Sequence, residues 1–260
     1  MRAAEAMRAP IAFLPRMALL LPFAQPLQLT PPLQVSVLEA PTPQELEACT
    51  SCMVDGFWAS KRLDAAQRES LAATQYADLE QRFGGDGSGR VLKGSLVAAA
   101  DGGRVVGMAS LELGLFDGAA LSLLPRDEAA EKIVEKIQDV PAAARRKPLP
   151  ELCVDLFGDY ARVAPLLANV AVVPGARRKG LGRRLVAACA DLARDGWGYD
   201  DVLLEVECDN RPAVALYERV GFQELWRAPR AALEVDPRRE SGPPLKRRDN
   251  VDHVAMRLPV

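Results

Sequence analysis

"NVAVVPGARRKGLG", Asn169 to Gly182, decides how this chain is read. An apolar run, a Pro-Gly turn, three consecutive basic residues and a Gly-x-Gly pair follow one another without interruption. The run from Pro165 to Val173 predicts a buried strand, and Leu181, Leu185, Ala188 and Leu192 then recur on one face of a helix. The first amides of that helix have no intrahelical acceptor, and its dipole adds partial positive charge at the same end. Gly180 and Gly182 remove Cβ atoms that would hold a ligand away, while Arg177, Arg178 and Lys179 add full charges. Such a strand–turn–helix suits a diphosphate. On these residues alone the blander alternative stays open: Gly-x-Gly is also an ordinary tight turn, and loop cations are commonly solvated. The turn is not a dinucleotide fingerprint, because the third glycine is missing, nor a Walker loop, because no Lys-Ser/Thr pair follows.

Working outward, "DVLLEVEC" reads as the next strand and "DNRPAVALYERVGF" as the next helix. Asn210 or Asp209 caps it, Pro212 sits in its first turn, Gly221 ends it, and Phe222 opens a further strand. "VDHVAMRL" reads as the last strand. Upstream, "TPQE" (Thr42 to Glu45) is a capping box for a helix running to about Phe57, and a second helix fits Leu63 to Phe83. Two strands around the "DGG" turn at Asp101 to Gly103 form an antiparallel hairpin. Residues 118–165 are long for a connection and read as an insertion, with one helix, "RDEAAEKIVEKI", and a proline-flanked loop, "PAAARRKPLP", whose charges are solvated. The fold class is α/β (α+β), a mixed central β-sheet flanked by helices with a βαβ unit near its centre.

Asn210-x-x-Ala213-x-x-Leu216-Tyr217-x-x-x-Gly221-Phe222, taken with Arg177-x-x-Gly180-x-Gly182, resembles the GNAT superfamily of acetyl-CoA-dependent N-acetyltransferases in order and spacing over about Leu166 to Phe222. The resemblance implies a strand splayed from its neighbour by a bulge, with the pantetheine arm of acetyl-CoA pairing to Val170, Ala171 and Val172. It implies a diphosphate held by Arg177, Arg178, Lys179, Gly180, Leu181, Gly182 and Arg183, with Asn210 near the pantetheine. The amine attacks the thioester directly, a strand N–H stabilises the developing oxyanion, and Tyr217 protonates the leaving thiolate. "LEVECDNRPAVALY" is similar to the ribosomal-protein N-terminal acetyltransferase branch, which makes Glu205 the base. The plainer readings are that Tyr217 fills the core, Asn210 is only a cap, and Glu205 is a solvated or paired carboxylate. "TQYADLEQRFG" and "APLLANVAVVPGARRKGLG" look similar to plastid-type members, which act on protein N-termini, lysines or both. The implied partner is therefore a protein or peptide amine; a polyamine-like or aminoglycoside-like acceptor, and an acetyl-CoA-binding module without turnover, are the alternatives.

Composition narrows the field further. With 49% hydrophobic residues the chain can bury a sizeable core, and a formal net charge of −2 gives no field to recruit nucleic acid. Five cysteines without framework spacing read as reduced thiols, and Cys49-x-x-Cys52 as helix packing. One histidine, His253, leaves little for histidine-dependent hydrolases, and no metal is expected. Residues 1–34 carry Arg2, Arg8 and Arg16 against a single acid, Glu5, and the apolar run Met17 to Ala24 is broken by Pro22 and too short to span a membrane. They read as a targeting peptide or a disordered tail, a secretory segment being the rival, with residues 35–260 as the acetyltransferase domain. The expected compartment is the chloroplast, the cytoplasm being the alternative.

Overall fold

The structure is a computed structural model and describes residues 33–85, 92–239 and 242–260. The targeting segment expected over residues 1–34 lies outside the described residues, apart from its last two. Those two correct the boundary: strand β1 spans Gln34–Leu38, and Leu33 already packs against the core. Helix α1 follows at Pro43–Trp58, with both halves of the Thr42–Glu45 capping box formed. Helix α2, Ala65–Phe83, carries a second capping box from Asp64 and Gln67. The hairpin is β2 (Gly94–Asp101) and β3 (Arg104–Asp117).

The segment read as an insertion carries secondary structure that packs on the sheet. Strand β4 (Ser122–Leu124) pairs with β3, and α3 spans Arg126–Ile137 as expected. A further helix, α4 (Leu149–Phe157), stands where the loop and an unassigned stretch were expected. Pro148 and Pro150 sit before and within its first turn, where a missing N–H costs nothing. Ala129, Ile133, Leu152 and Cys153 are buried, three of them against Leu113 and Leu115 of β3. The charges expected to be solvated, Arg145, Arg146 and Lys147, are exposed, and two of them also have local partners. Arg145 donates to the carbonyls of Gln138 and Val140, and Lys147 lies 2.6 Å from Asp155.

Strand β5 spans Ala161–Val172, so it begins inside the supposed insertion. It leads through the glycine turn into α5 (Leu181–Asp191), then β6 (Asp201–Glu207), α6 (Arg211–Val220), β7 (Gln223–Val235) and β8 (Leu245–Pro259). The sheet order is β1-β2-β3-β5-β6-β8-β7, with β4 on β3, and only β5–β6 is parallel. Alternation along β2 sorts the two faces. Leu96 and Ala98 pack with α1 and α2, whereas Val97 and Ala99 pack with α5, α6 and Tyr217. The sheet is thus covered by helices on both sides, with the βαβ unit at its middle.

Candidate active site

The site begins with a defect in β5. Met108 faces Ala171 and Ser110 faces Ala168, so Ala109 alone stands opposite both Asn169 and Val170. This is a β-bulge, and Asn169 takes the left-handed conformation (φ 53°) to make it. The Asn169 amide donates to Ser110 Oγ at 3.2 Å, fixing the bulge to β3. Its effect is visible in the packing. Leu167 points toward α5, but beyond the bulge Ala171 has turned to the α1 face. On its other side β5 meets β6 in register only at Leu166↔Leu203.

The strands are clamped behind that pair and part in front of it. Asp201, at the start of β6, accepts from both Arg162 Nη atoms at 3.0 and 2.6 Å and from Arg257 Nε at 2.7 Å. Asp201 is 3% exposed and ties β5, β6 and β8 together at the closed end. The register, not the local sequence, brings these three residues together. Past Leu166 the backbone of Val170, Ala171 and Val172 runs along the open side of the split.

The glycine turn sits at the open end. After a single 3-10 turn at Pro174–Ala176, Arg178 and Gly180 both adopt positive φ, 64° and 77°. Gly180 caps α5 with no side-chain bond to the helix, so the amides of Leu181, Gly182 and Arg183 keep their donors. Arg178, Lys179, Gly180 and Arg183 are exposed around them. The two glycines have different duties. Nothing lies within 4 Å of a Cβ at Gly180, whose backbone conformation is the requirement; at Gly182 a Cβ would stand 3.0 Å from Leu216 of α6. Gly182 therefore also lets α5 approach α6. Arg177 also holds the protein's own backbone: its Nε donates to the carbonyl of Val172 at 3.0 Å and its Nη2 to the carbonyl of Gly56. It braces the loop against α1 and occupies the Val172 carbonyl while remaining exposed.

Tyr217 and Asn210 come from α6. Asn210 is its N-cap, with Oδ1 accepting from Ala213 N at 3.4 Å. Tyr217 is 8% exposed, packs edge-on against Phe222 at 5.5 Å, and lies in the same cluster as Leu181, Leu185 and Val206. Burial, with the nearby Cys189 thiol adding to it, pushes its phenol up to about 12, so it holds its proton across the neutral range. No described residue hydrogen-bonds its hydroxyl. Glu205 alternates with Leu204 and Val206 and so points to the other face of β6. It lines a cavity of about 410 Å³ with Leu166, Leu167, Ala168 and Leu204 at the split. It is also paired, with Arg230 Nη2 at 3.2 Å.

The cavity wall was not foreseen. Asp78 of α2, Glu112 of β3, and Asp127 and Glu128 of α3 line it together with Glu205. Among the described residues Arg82 is the one cation in that lining; it donates to Glu112 at 2.9 Å and to Asp78 at 3.1 Å. Glu112 is 2% exposed, and Arg82, buried between two carboxylates, has its pKa raised. Among the described residues, counting Arg126 on Asp127 and Arg230 on Glu205, five carboxylates face three cations. These residues come from four separate elements, so no linear motif announced them.

A split parallel pair ending at a bare, basic helix start is the arrangement that comparison with known sequences bears on. Residues 153–222 match the Acetyltransferase (GNAT) family. The match covers the bulge, the turn, β6 and α6. N-alpha-acetyltransferase RimI of Mycobacterium tuberculosis is 40% identical over 81 residues, 29% of this chain and 49% of the relative. A mycothiol acetyltransferase of Clavibacter sepedonicus is 44% identical over 68 residues, 26% of this chain and 20% of the relative. The chain thus spans about half, or less, of the length of these curated relatives. Among solved structures, ribosomal-protein-alanine N-acetyltransferase from Brucella melitensis aligns over 87% of this chain and 99% of its own, at 19% identity and a TM-score of 0.43.

Cys49 and Cys52 are buried in the α1 core, with thiols pushed up to about 12 by burial. His253 Nδ1 lies 2.9 Å from the carbonyl of Val251. Among the described residues no group of His, Cys, Asp and Glu is placed to hold a metal, and no helix is long and apolar enough to cross a membrane.

Proposed function

We propose that the protein transfers the acetyl group of acetyl-CoA to an amine. The observation that carries the reading is the split of β5 from β6 beyond Leu166↔Leu203, ending at the uncapped start of α5. The residues fit the substrate: free amides and cations for a diphosphate, then a strand side without a partner for an extended amide-bearing arm. The thioester supplies the activated acyl group. The chain's own work is to orient it and to move two protons. Glu205 accepts one from the attacking amine, and Tyr217 returns one to the departing sulfur.

The acceptor proposed first is a protein or peptide amine, in line with the resemblance to the ribosomal-protein branch and with what the RimI relative is named for. An N-terminal amine starts near pKa 8 and a lysine near 10.4, so an N-terminus asks less of the base. The acidic cavity favours a second reading, a small polycationic amine, because carboxylates in a partly enclosed wall attract and orient cations. Incubation with acetyl-CoA and a mixed library of unblocked peptides and polyamines, with the acetyl group located by mass spectrometry, separates the two. Modified peptides support the first reading, and modification of polyamines alone supports the second. Coenzyme A binding without transfer to any amine contradicts both.

A further inference from the structure

The long β7–β8 hairpin does not continue the plane of the sheet. In the ladder Glu205 faces Ala255 of β8, while Arg230 of β7 faces Val251, four residues further along β8. In a flat sheet the two would be on the order of 16 Å apart, from about 3.4 Å per residue and 4.8 Å per strand. Instead Arg230 donates from Nε and Nη2 to the two oxygens of Glu205, at 3.4 and 3.2 Å. The hairpin therefore curls over the face that holds the cavity. Another bulge, with Asn250 at φ 58°, lies beside Arg230 in the ladder, where Ala232 resumes pairing at Arg248. The far end of the hairpin docks on the first two helices. Val235 and Leu245 are buried with Val54 and Leu71, and Gln67 Nε2 donates to the carbonyl of Pro237 at 2.7 Å.

Arg230 also reaches a third element. Its Nη2 donates at 2.5 Å to the carbonyl of Leu121, in the turn between β3 and β4. That turn is itself shaped: Asp117 Oδ1 accepts from Ala119 N and Ala120 N, and Leu121 is left-handed at φ 50°. One planar guanidinium thus joins the edge strand, the central strand and this turn, with the carboxylate it grips on the cavity wall. A lysine cannot offer that fork.

We propose that Arg230 is the positioning residue for Glu205, holding its carboxylate in the orientation from which it takes the proton of the acceptor amine. The inference rests on the acetyl-transfer reading and deepens it. A freed glutamate samples other rotamers, and small misplacements of a reacting group are costly to rate.

The experiment is a double-mutant cycle on the full chain with Arg230→Met and Glu205→Gln, adding Arg230→Lys. Thiol release from acetyl-CoA is followed against a fixed pool of unblocked octapeptides and polyamines. Arg230→Met is expected to lower kcat about tenfold while KM for acetyl-CoA stays within about twofold. Arg230→Lys is expected to recover part of the loss. In the Glu205→Gln background Arg230→Met is expected to change nothing further. Losses that multiply in the double variant overturn the proposal, because they show Arg230 acting on the fold and not through Glu205. An unchanged kcat in Arg230→Met, or in Glu205→Gln, overturns it while leaving acetyl transfer intact. Should Arg230→Met not fold, the same cycle with Arg230→Lys decides. A wild-type chain that releases no thiol with any amine removes the acetyl-transfer reading itself.

Discussion

Replacing Tyr217 by phenylalanine separates a proton donor from a core-filling ring. The ring is buried, stacks edge-on against Phe222, and keeps those contacts in the variant. No described residue hydrogen-bonds the hydroxyl, so folding stability should change by no more than about 1 kcal/mol. The raised phenol pKa, about 12, keeps the proton on the oxygen until the leaving sulfur needs it. A positioned acid of this kind typically contributes about 10²- to 10⁴-fold. The lower bound corresponds to about 2.7 kcal/mol of barrier, well above the stability change. The assay pairs thiol release with calorimetric titration of coenzyme A and a thermal melt. The expected outcome is a kcat loss of at least about a hundredfold, with coenzyme A affinity within about twofold and the melt nearly unchanged. Equal losses in kcat and affinity, or an unchanged kcat, would refute the assignment of the acid.

Asp201→Asn should destabilise the fold by about 2–4 kcal/mol, measured by urea unfolding. The value sits toward or below the range for fully buried pairs because the Arg162 and Arg257 side chains are 38% and 47% exposed. Gly180→Ala should lose about 1–2 kcal/mol, the cost of a left-handed non-glycine residue, since its φ is 77° and a Cβ there meets nothing within 4 Å. Alkali should weaken the fold. Burial raises the Cys189 thiol from 9.0 to about 12 and the Tyr217 phenol from 10.0 to about 12, so the unfolded chain ionises first. Their stability is fully present below about pH 9 and is lost on rising toward pH 12, at about 1.4 kcal/mol per unit per group. Cys189→Ala should flatten the fall in urea midpoint between about pH 9 and 11, and an unchanged slope contradicts that burial.

Local chemistry was legible where it is self-contained. The Thr42–Glu45 box, the Asn210 cap with Pro212, and the turn through Gly180 are settled by neighbours within a few residues, and each stands where it was read. Helix α4 was hidden because Pro148 and Pro150 look like breakers until their first-turn positions are known. The start of β5 was hidden because Pro165 lies inside the strand, opposite Leu113, instead of opening it. Arg177 carries the motif's charge, yet its acceptors include the carbonyl of Gly56, 121 residues away, which no spacing reveals. The acidic cavity is the extreme case: α2, β3, α3 and β6 each contribute carboxylates that look like ordinary solvated charges in sequence. What a helix start can bind is written locally, whereas what reaches the split is decided by register.

Under the proposed function, the first amides of α5 and the open side of β5 together hold coenzyme A. The most direct measurement is titration of the isotope-labelled protein with coenzyme A, followed through its backbone amide resonances. The prediction is saturable shifts concentrated at Gly180, Leu181, Gly182, Arg183 and the strand residues Val170 to Val172. Shifts confined to other parts of the chain, or none at all at millimolar ligand, would contradict it.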